Sequence, residues 1–191
     1  MPFFAYLITD AHYGCPTPGA FAKKLDDIFR AYAVDYALYR DKENPDYTRF
    51  AAAFVDVCQA HGVRAMLHRD VALALALGAD GVHLTSAQFD AVAQAKADGL
   101  FTVVSTHSPV EVAHAAAEGA DAVTYSPIFA SPGKGAPKGL DDLNETAGRI
   151  GLPIIALGGI TGAEEISAVR AAGAAGFASI RYFSKDPFCS K

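Results

Sequence analysis

Leu77-Gly78-Ala79-Asp80-Gly81-Val82, Glu118-Gly119-Ala120-Asp121-Ala122-Val123 and Ala172-Gly173-Ala174-Ala175-Gly176-Phe177 are three versions of one phrase. Each ends an alanine-rich stretch with glycine and opens an apolar run. Glycine suits a helix stop because it takes the left-handed backbone form without a Cβ clash. Each phrase therefore reads as helix, stop and buried strand, and the three are echoes of one βα unit. Gly62 and Gly99 punctuate the chain in the same way.

Working outward from these phrases, strands are expected over Phe3–Thr9, Tyr36–Arg40, Arg64–His68, Gly81–Leu84, Phe101–Ser105, Ala122–Ser126, Pro153–Leu157 and Gly176–Ile180. Their starts lie roughly 25 residues apart on average, the length of a compact βα unit. Several are continuously apolar, as strands buried on both faces should be. Helix starts are expected at three capping boxes: Ser108-Pro109-Val110-Glu111, Thr161-Gly162-Ala163-Glu164 and Thr85-Ser86-Ala87-Gln88.

About eight parallel strands, each followed by a helix, predict an α/β fold: a small (β/α)8 TIM barrel occupying residues 1–191 as a single domain. Only Arg181–Lys191 follow the last strand, and they include Pro187, so the last helix should be short or missing. The thinly covered side predicts a homo-oligomer. An open doubly wound sheet would want G-x-G-x-x-G after the first strand, and Thr9-Asp10-Ala11-His12-Tyr13-Gly14 is not that.

Composition narrows the class. The 191 residues are 51% hydrophobic and 19% charged, with net charge −5. That is a globular balance and the wrong sign for a strongly basic nucleic-acid binder. No apolar run reaches the ~18 residues of a membrane span, and residues 1–9 show no signal-peptide pattern. Cys15, Cys58 and Cys189 are odd in number and widely spaced, which fits reduced thiols in a cytoplasmic protein, with Cys58 in the core.

In such barrels the site lies at the C-terminal ends of the strands. Arg40, Lys42, Arg69, Lys134, Lys138 and Arg181 all follow strands, so cations should converge on one mouth and draw an anionic ligand. Gly158-Gly159-Ile160 ends a strand and runs into a helix, an arrangement that lets backbone N–H groups approach a phosphate. Ser131–Gly139 is the longest irregular stretch and suits a mobile clamp over a phosphate. Among the histidines, His61 and His114 read as solvated and His83 as a core residue. His68 and His107 end strands at the mouth, where an imidazole suits proton transfer. No metal-ligand spacing is present.

Leu7-Ile8-Thr9-Asp10, Tyr39-Arg40-Asp41-Lys42, Gly78-Ala79-Asp80-Gly81-Val82-His83-Leu84, Ser105-Thr106-His107-Ser108, Ser126-Pro127-Ile128-Phe129-Ala130-Ser131 with Lys134, and Gly158-Gly159-Ile160 occur in this order. Together they resemble the superfamily of thiamine phosphate synthases and TenI-type thiazole tautomerases, over about Leu7 to Ile180. The resemblance implies thiamine biosynthesis and a phosphorylated thiazole ligand, with a pyrimidine pyrophosphate as second substrate in the synthases. By position, Arg40 and Lys42 match cations that hold the pyrophosphate, although a glutamine of that motif falls on Leu38. Ser131 and Lys134 match the loop that closes over it. Gly158 and Gly159, with the backbone near Ile180 and Arg181, match the thiazole-phosphate site. Ser105 matches an active-site serine.

The departures concern the metal and the acid–base group. The two aspartates that hold Mg²⁺ in the synthases fall on Arg69 and Gln88. Mg²⁺ wants anionic oxygen ligands, so no cofactor is expected to be required, and Arg69 is expected to supply fixed positive charge instead. The catalytic histidine of the tautomerases falls on Pro127. The preferred reading is a metal-independent tautomerase with His68 as proton carrier and His107 second. The alternatives are a synthase whose pyrophosphate is carried by Arg40, Lys42, Arg69 and Lys134, and a non-catalytic phosphate-binding relic.

Overall fold

A computed structural model describes residues 3–184. The eight strands are β1 (Phe4–Ile8), β2 (Tyr36–Tyr39), β3 (Arg64–His68), β4 (Gly81–Leu84), β5 (Phe101–Thr106), β6 (Ala122–Tyr125), β7 (Ile154–Leu157) and β8 (Gly176–Ser179). Each pairs in parallel with the next, and β8 closes onto β1, with Tyr6 opposite Ala178. The eight-stranded barrel expected from the sequence is the fold, and each strand lies within two residues of its expected bounds.

The helices alternate with the strands: α1 (Pro18–Ala31), α2 (Tyr47–His61), α3 (Val71–Leu77), α4 (Val92–Ala97, entered through a 3-10 turn at Phe89–Ala91), α5 (Pro109–Ala117), α6 (Gly139–Arg149), α7 (Ala163–Ala171) and α8 (Arg181–Ser184). Within the described residues α8 is a single turn; the expectation of a short or missing last helix concerns residues 185–191 as well, which lie outside the described residues. Pro187 and Cys189 lie outside the described residues. None of the described helices is long and apolar enough to cross a membrane.

Local chemistry explains the punctuation. Gly62, Gly78, Gly99, Gly119 and Gly173 all have positive φ, between 65° and 88°. Ser108 caps α5 by accepting from Glu111 N, and Glu111 reaches back to His107 N. The other two capping boxes differ from expectation. Helix α7 is capped by Gly162 without a side chain, and it is Glu165 that accepts from Thr161 N. Gln88 closes a turn on Thr85 just ahead of the 3-10 entry to α4.

Strand alternation sorts the core into two layers. Leu7, Ala37, Tyr39, Leu67, Val82, Val104, Tyr125 and Phe177 face the helices and pack with Phe21, Phe54 and Leu143. Phe4, Tyr6, Ile8, Leu38, Met66, Val103, Ile155 and Ala178 fill the barrel. Cys58 is fully buried in the outer layer, and burial pushes its thiol up. His61 is not solvated as expected: it bonds Asp26 at 2.8 Å and packs on Phe29. His114 stacks on Phe89.

The aspartates of the repeated phrase have a common task at the foot of the barrel. Asp80 N donates to Ala65 O while its carboxylate accepts from Ala65 N at 2.8 Å. Asp121 does the same with Thr102, and Asp35 with Ala5. In the third echo Ala175 keeps the backbone bond to Ile154 O and has no carboxylate to add.

Candidate active site at the barrel mouth

Inward positions alternate along each strand, so the last inward side chains of β3 and β5 are His68 and Ser105, with Arg40 just beyond β2. These three residues are half-buried. His68 sits among cations: burial first, then Arg40, Lys42 and Arg69, lower its imidazole to about 4. Lys42 and Arg69 are exposed, and neither they nor Arg40 have a carboxylate partner among the described residues. Elsewhere Lys23, Arg30, Arg49, Lys96 and Arg149 are each paired with a carboxylate, and Arg64 and Arg170 lie over aromatic rings.

Arg69 is held by its backbone. It has φ of 70°, unusual for a residue with a side chain. Its N–H donates to His83 O at 3.0 Å, and its carbonyl accepts from Gln88 Nε2 at 3.1 Å. Gln88 Oε1 in turn accepts from the N–H and hydroxyl of Thr85. The two positions where the family resemblance places Mg²⁺ carboxylates are thus joined directly, side chain to backbone. Asp70 is occupied as the cap of α3, accepting from Leu73 N. No group of three or more His, Cys, Asp or Glu among the described residues could hold a metal ion. A neutral amide and a guanidinium do not suit Mg²⁺, which takes anionic oxygen donors. The residues present do not fit that ion.

Gly158 and Gly159 have φ of 104° and 72°. A Cβ on Gly158 would lie 2.8 Å from Pro127 Cα, and one on Gly159 would lie 2.5 Å from Phe129 Cβ. The pair therefore brings the end of β7 against the loop between β6 and α6, with Phe129 N donating to Gly158 O. The Ser126–Pro127 peptide in that loop is cis. Ser131 donates to Phe129 O, and Lys134 is exposed with its N–H on Ser131 O. Ile180, half-buried, borders the interior cluster, while Arg181 is exposed at the start of α8.

Some expected members are not drawn in. Lys138 lies over the Tyr125 ring, 5.2 Å from its centroid, and Tyr125 donates to Asp142 behind it. That is the helix-facing layer, not the mouth. His107 is exposed, and its Nδ1 lies 3.1 Å from Ser126 O. The Ser126 hydroxyl also lies 3.3 Å from Nδ1, so Ser126 engages that nitrogen and Nε2 is left without a partner among the described residues.

Sequence reasoning missed two features. His12 Nδ1 bonds the Asp41 carboxylate at 2.7 Å, latching the loop after β1 to the arm that carries Arg40 and Lys42. The same loop holds Ala11 and Tyr13 at positive φ, and the buried Tyr13 hydroxyl has no hydrogen-bond partner among the described residues. A turn in which His12 follows the first strand was visible, but a partner 29 residues away was not. The second feature is under the mouth: His83 Nδ1 meets Tyr6 Oη at 2.9 Å, and its Nε2 meets Ser105 Oγ at 3.0 Å. His83 is a satisfied core histidine, and burial, with His68 and Arg40 nearby, lowers it to about 3.

A family model described as thiamine monophosphate synthase matches residues 5–183. The chain belongs to that family. A putative thiamine-phosphate synthase of Geobacter sulfurreducens is 36% identical over 192 residues, covering 97% of this chain and 88% of the relative. A thiamine-phosphate synthase of Methanoculleus marisnigri is 35% identical over 188 residues, covering 94% and 87%. Among solved structures, a thiamine phosphate pyrophosphorylase from Pyrococcus furiosus superposes with a TM-score of 0.81 at 22% identity, over 97% of this chain and 90% of that one; at that identity the likeness is one of fold. Membership places the chain in the thiamine phosphate synthase and TenI superfamily, and so in thiamine biosynthesis. These relatives carry synthase names, so the preference for a tautomerase drawn from sequence gains no support from them.

Proposed function

We propose that this chain is a transferase of the thiamine phosphate synthase kind, joining a phosphorylated hydroxyethylthiazole to an aminopyrimidine pyrophosphate with release of pyrophosphate. The observation that carries this reading is a set of cations, Arg40, Lys42 and Arg69, without a carboxylate partner among the described residues and gathered around His68, whose imidazole is lowered to about 4 by burial and by their charge. A departing pyrophosphate is the ligand class that such a cluster stabilises best, because its charge grows as the carbon–oxygen bond breaks. The bond's electron pair leaves with the pyrophosphate, and the thiazole nitrogen supplies its own pair to the methylene carbon. Gly158, Gly159 and the backbone at Ile180 and Arg181 would receive the thiazole phosphate. Ser131 and Lys134 would close over the pyrophosphate.

The same cluster weakens the tautomerase reading. A general base works best with a pKa near the working pH, and His68, at about 4, lies well below it. His107, with Nε2 free, is the proton carrier that reading retains.

Arg69 takes the role that a metal would otherwise fill, so the reaction should not require Mg²⁺. The test is a coupling assay with chelated protein and again with added Mg²⁺, reading thiamine phosphate by fluorescence after oxidation. Product at similar rates in both is expected. Strict dependence on Mg²⁺ would overturn the role of Arg69. No product in either would remove the synthase reading and leave the tautomerase and the binding relic, which the thiazole carboxylate phosphate would then separate.

A further inference from the structure

Asp41 stands between Arg40 and Lys42 in the chain, yet its carboxylate is buried and its ion pair is with His12. Strand alternation explains which way it turns. Leu38 faces the barrel interior and Tyr39 the helices. The chain stays in step with β1 for one residue more, Arg40 N donating to Thr9 Oγ1. Arg40 and Lys42 thus continue the inward row and Asp41 the outward one. On that outward side Asp41 meets His12 Nδ1 at 2.7 Å. The imidazole packs edge-on against Phe50 of α2, with ring centroids 5.5 Å apart.

The bond does not depend on the charge of the ring. A carboxylate accepts and does not donate, so Nδ1 carries a hydrogen whether His12 is neutral or protonated. The turn that places the ring is held in costly backbone: Ala11 and Tyr13, on either side of His12, have φ of 47° and 54°.

A buried carboxylate must be paired or hydrogen-bonded. The other titratable groups on its side, Tyr39 and Tyr47, are phenols kept neutral by burial, and the Asp41 charge raises both further. Without His12, the cations adjoining Asp41 in the chain are Arg40 and Lys42. The arm beyond Tyr39 lies outside the strand, so no ladder fixes its direction. A carboxylate turned to these cations would cancel part of the field that draws an anion. Other carboxylates near the mouth matter less. Asp70 is engaged as the cap of α3, and Asp10 and Glu43 are exposed, where an ion pair is worth little.

We infer that His12 is a positioning residue that keeps the mouth open to anions by holding the Asp41 carboxylate away from Arg40 and Lys42. His12 acts through Asp41 and not on the ligand. The anion itself, a pyrophosphate, rests on the synthase reading above.

The first test needs no ligand. Burial, then Arg40, Lys42 and Arg69, hold His68 at about 4, so its titration reports on the field of those cations. Followed by NMR, His68 should titrate at higher pH in His12→Ala and return to its original behaviour when Asp41→Asn is added. A His68 titration that His12→Ala leaves in place overturns the inference. The second test is calorimetry with inorganic pyrophosphate across the double-substitution cycle of His12→Ala and Asp41→Asn. His12→Ala alone should weaken binding about 10-fold, the effect of one negative charge brought within several ångströms of a multiply charged anion at high dielectric. In the Asp41→Asn background the same change should cost less than about 2-fold, because no carboxylate is left to release. Equal losses in both backgrounds would mean that His12 merely orders its loop, and would overturn the inference. If the unsubstituted protein fails to bind pyrophosphate, the synthase reading falls, while the His68 titration still decides whether His12 restrains Asp41.

Discussion

The two ends of this barrel use charge in opposite ways. At the foot, Asp35, Asp80 and Asp121 each exchange two hydrogen bonds with one residue of the preceding strand. Arg64 lies over the Tyr36 and Phe101 rings and bonds the Tyr36 hydroxyl, and Lys96 pairs with Asp121. At the mouth, Arg40, Lys42 and Arg69 have no carboxylate partner among the described residues, and all three non-glycine residues of positive φ among them, Ala11, Tyr13 and Arg69, are there. Satisfied charge at one end and unsatisfied charge with backbone strain at the other is the division expected when stability and function occupy separate faces.

Substitutions at the two ends should therefore fail in different assays. The largest effect is expected from Arg69→Ala. The rate of coupling should fall about 10²-fold or more, as when one preorganised charge on a transition state is removed, with the melting temperature unchanged or raised slightly. A variant that keeps its rate would show that the mouth cations are spectators. Asp121→Ala should do the reverse. Losing the bonds to Thr102 N, the Thr102 hydroxyl and Lys96 should cost about 1–3 kcal/mol in denaturant unfolding, with kcat unaltered; Asp121→Asn should recover part of it. If Asp121→Ala cripples catalysis and leaves stability intact, the division between the ends is broken.

A third contrast is a pH dependence. His68 and His83 titrate lower in the folded protein than the usual 6.5. Between those values the unfolded chain binds more protons than the folded one, so stability falls as pH drops. For His68 the window runs from about 6.5 down to about 4. A plot of melting temperature against pH should slope down across it, and His68→Gln should flatten the slope. An unchanged slope would mean that burial and the surrounding cations do not hold the His68 imidazole below its ordinary value.

The barrel was legible because its signals are local. Glycine stops, alanine-rich helices and apolar strand runs each depend on neighbours within a few residues, and the strand ends then placed Arg40, His68, Arg69, Ser105 and Gly158 at one mouth. The misjudged residues depend on distance. Thr161 and Gln88 look like capping residues in the chain, but Gly162 caps α7, and Gln88 serves both Thr85 and the Arg69 carbonyl. Lys138 ends the loop after β6 and turns back over the ring of Tyr125, the last residue of that strand, which lies 13 residues earlier in the chain.

The repeated phrase shows where the boundary falls. Chain chemistry alone determined that glycine would end a helix there and that an apolar strand would follow, since both are settled by backbone sterics and side-chain transfer. The same six letters could not say why aspartate stands before the strand at Asp80 and Asp121 and alanine at Ala175. Only the pairing of neighbouring strands gives that aspartate its task, by bringing the N–H of a residue in the preceding strand within reach of the carboxylate. The Tyr6–His83–Ser105 chain is of the same kind. Its members are separated by 77 and 22 residues, and no local pattern links them. A buried hydrogen must find an acceptor, and which acceptor is available is settled by the packed interior alone.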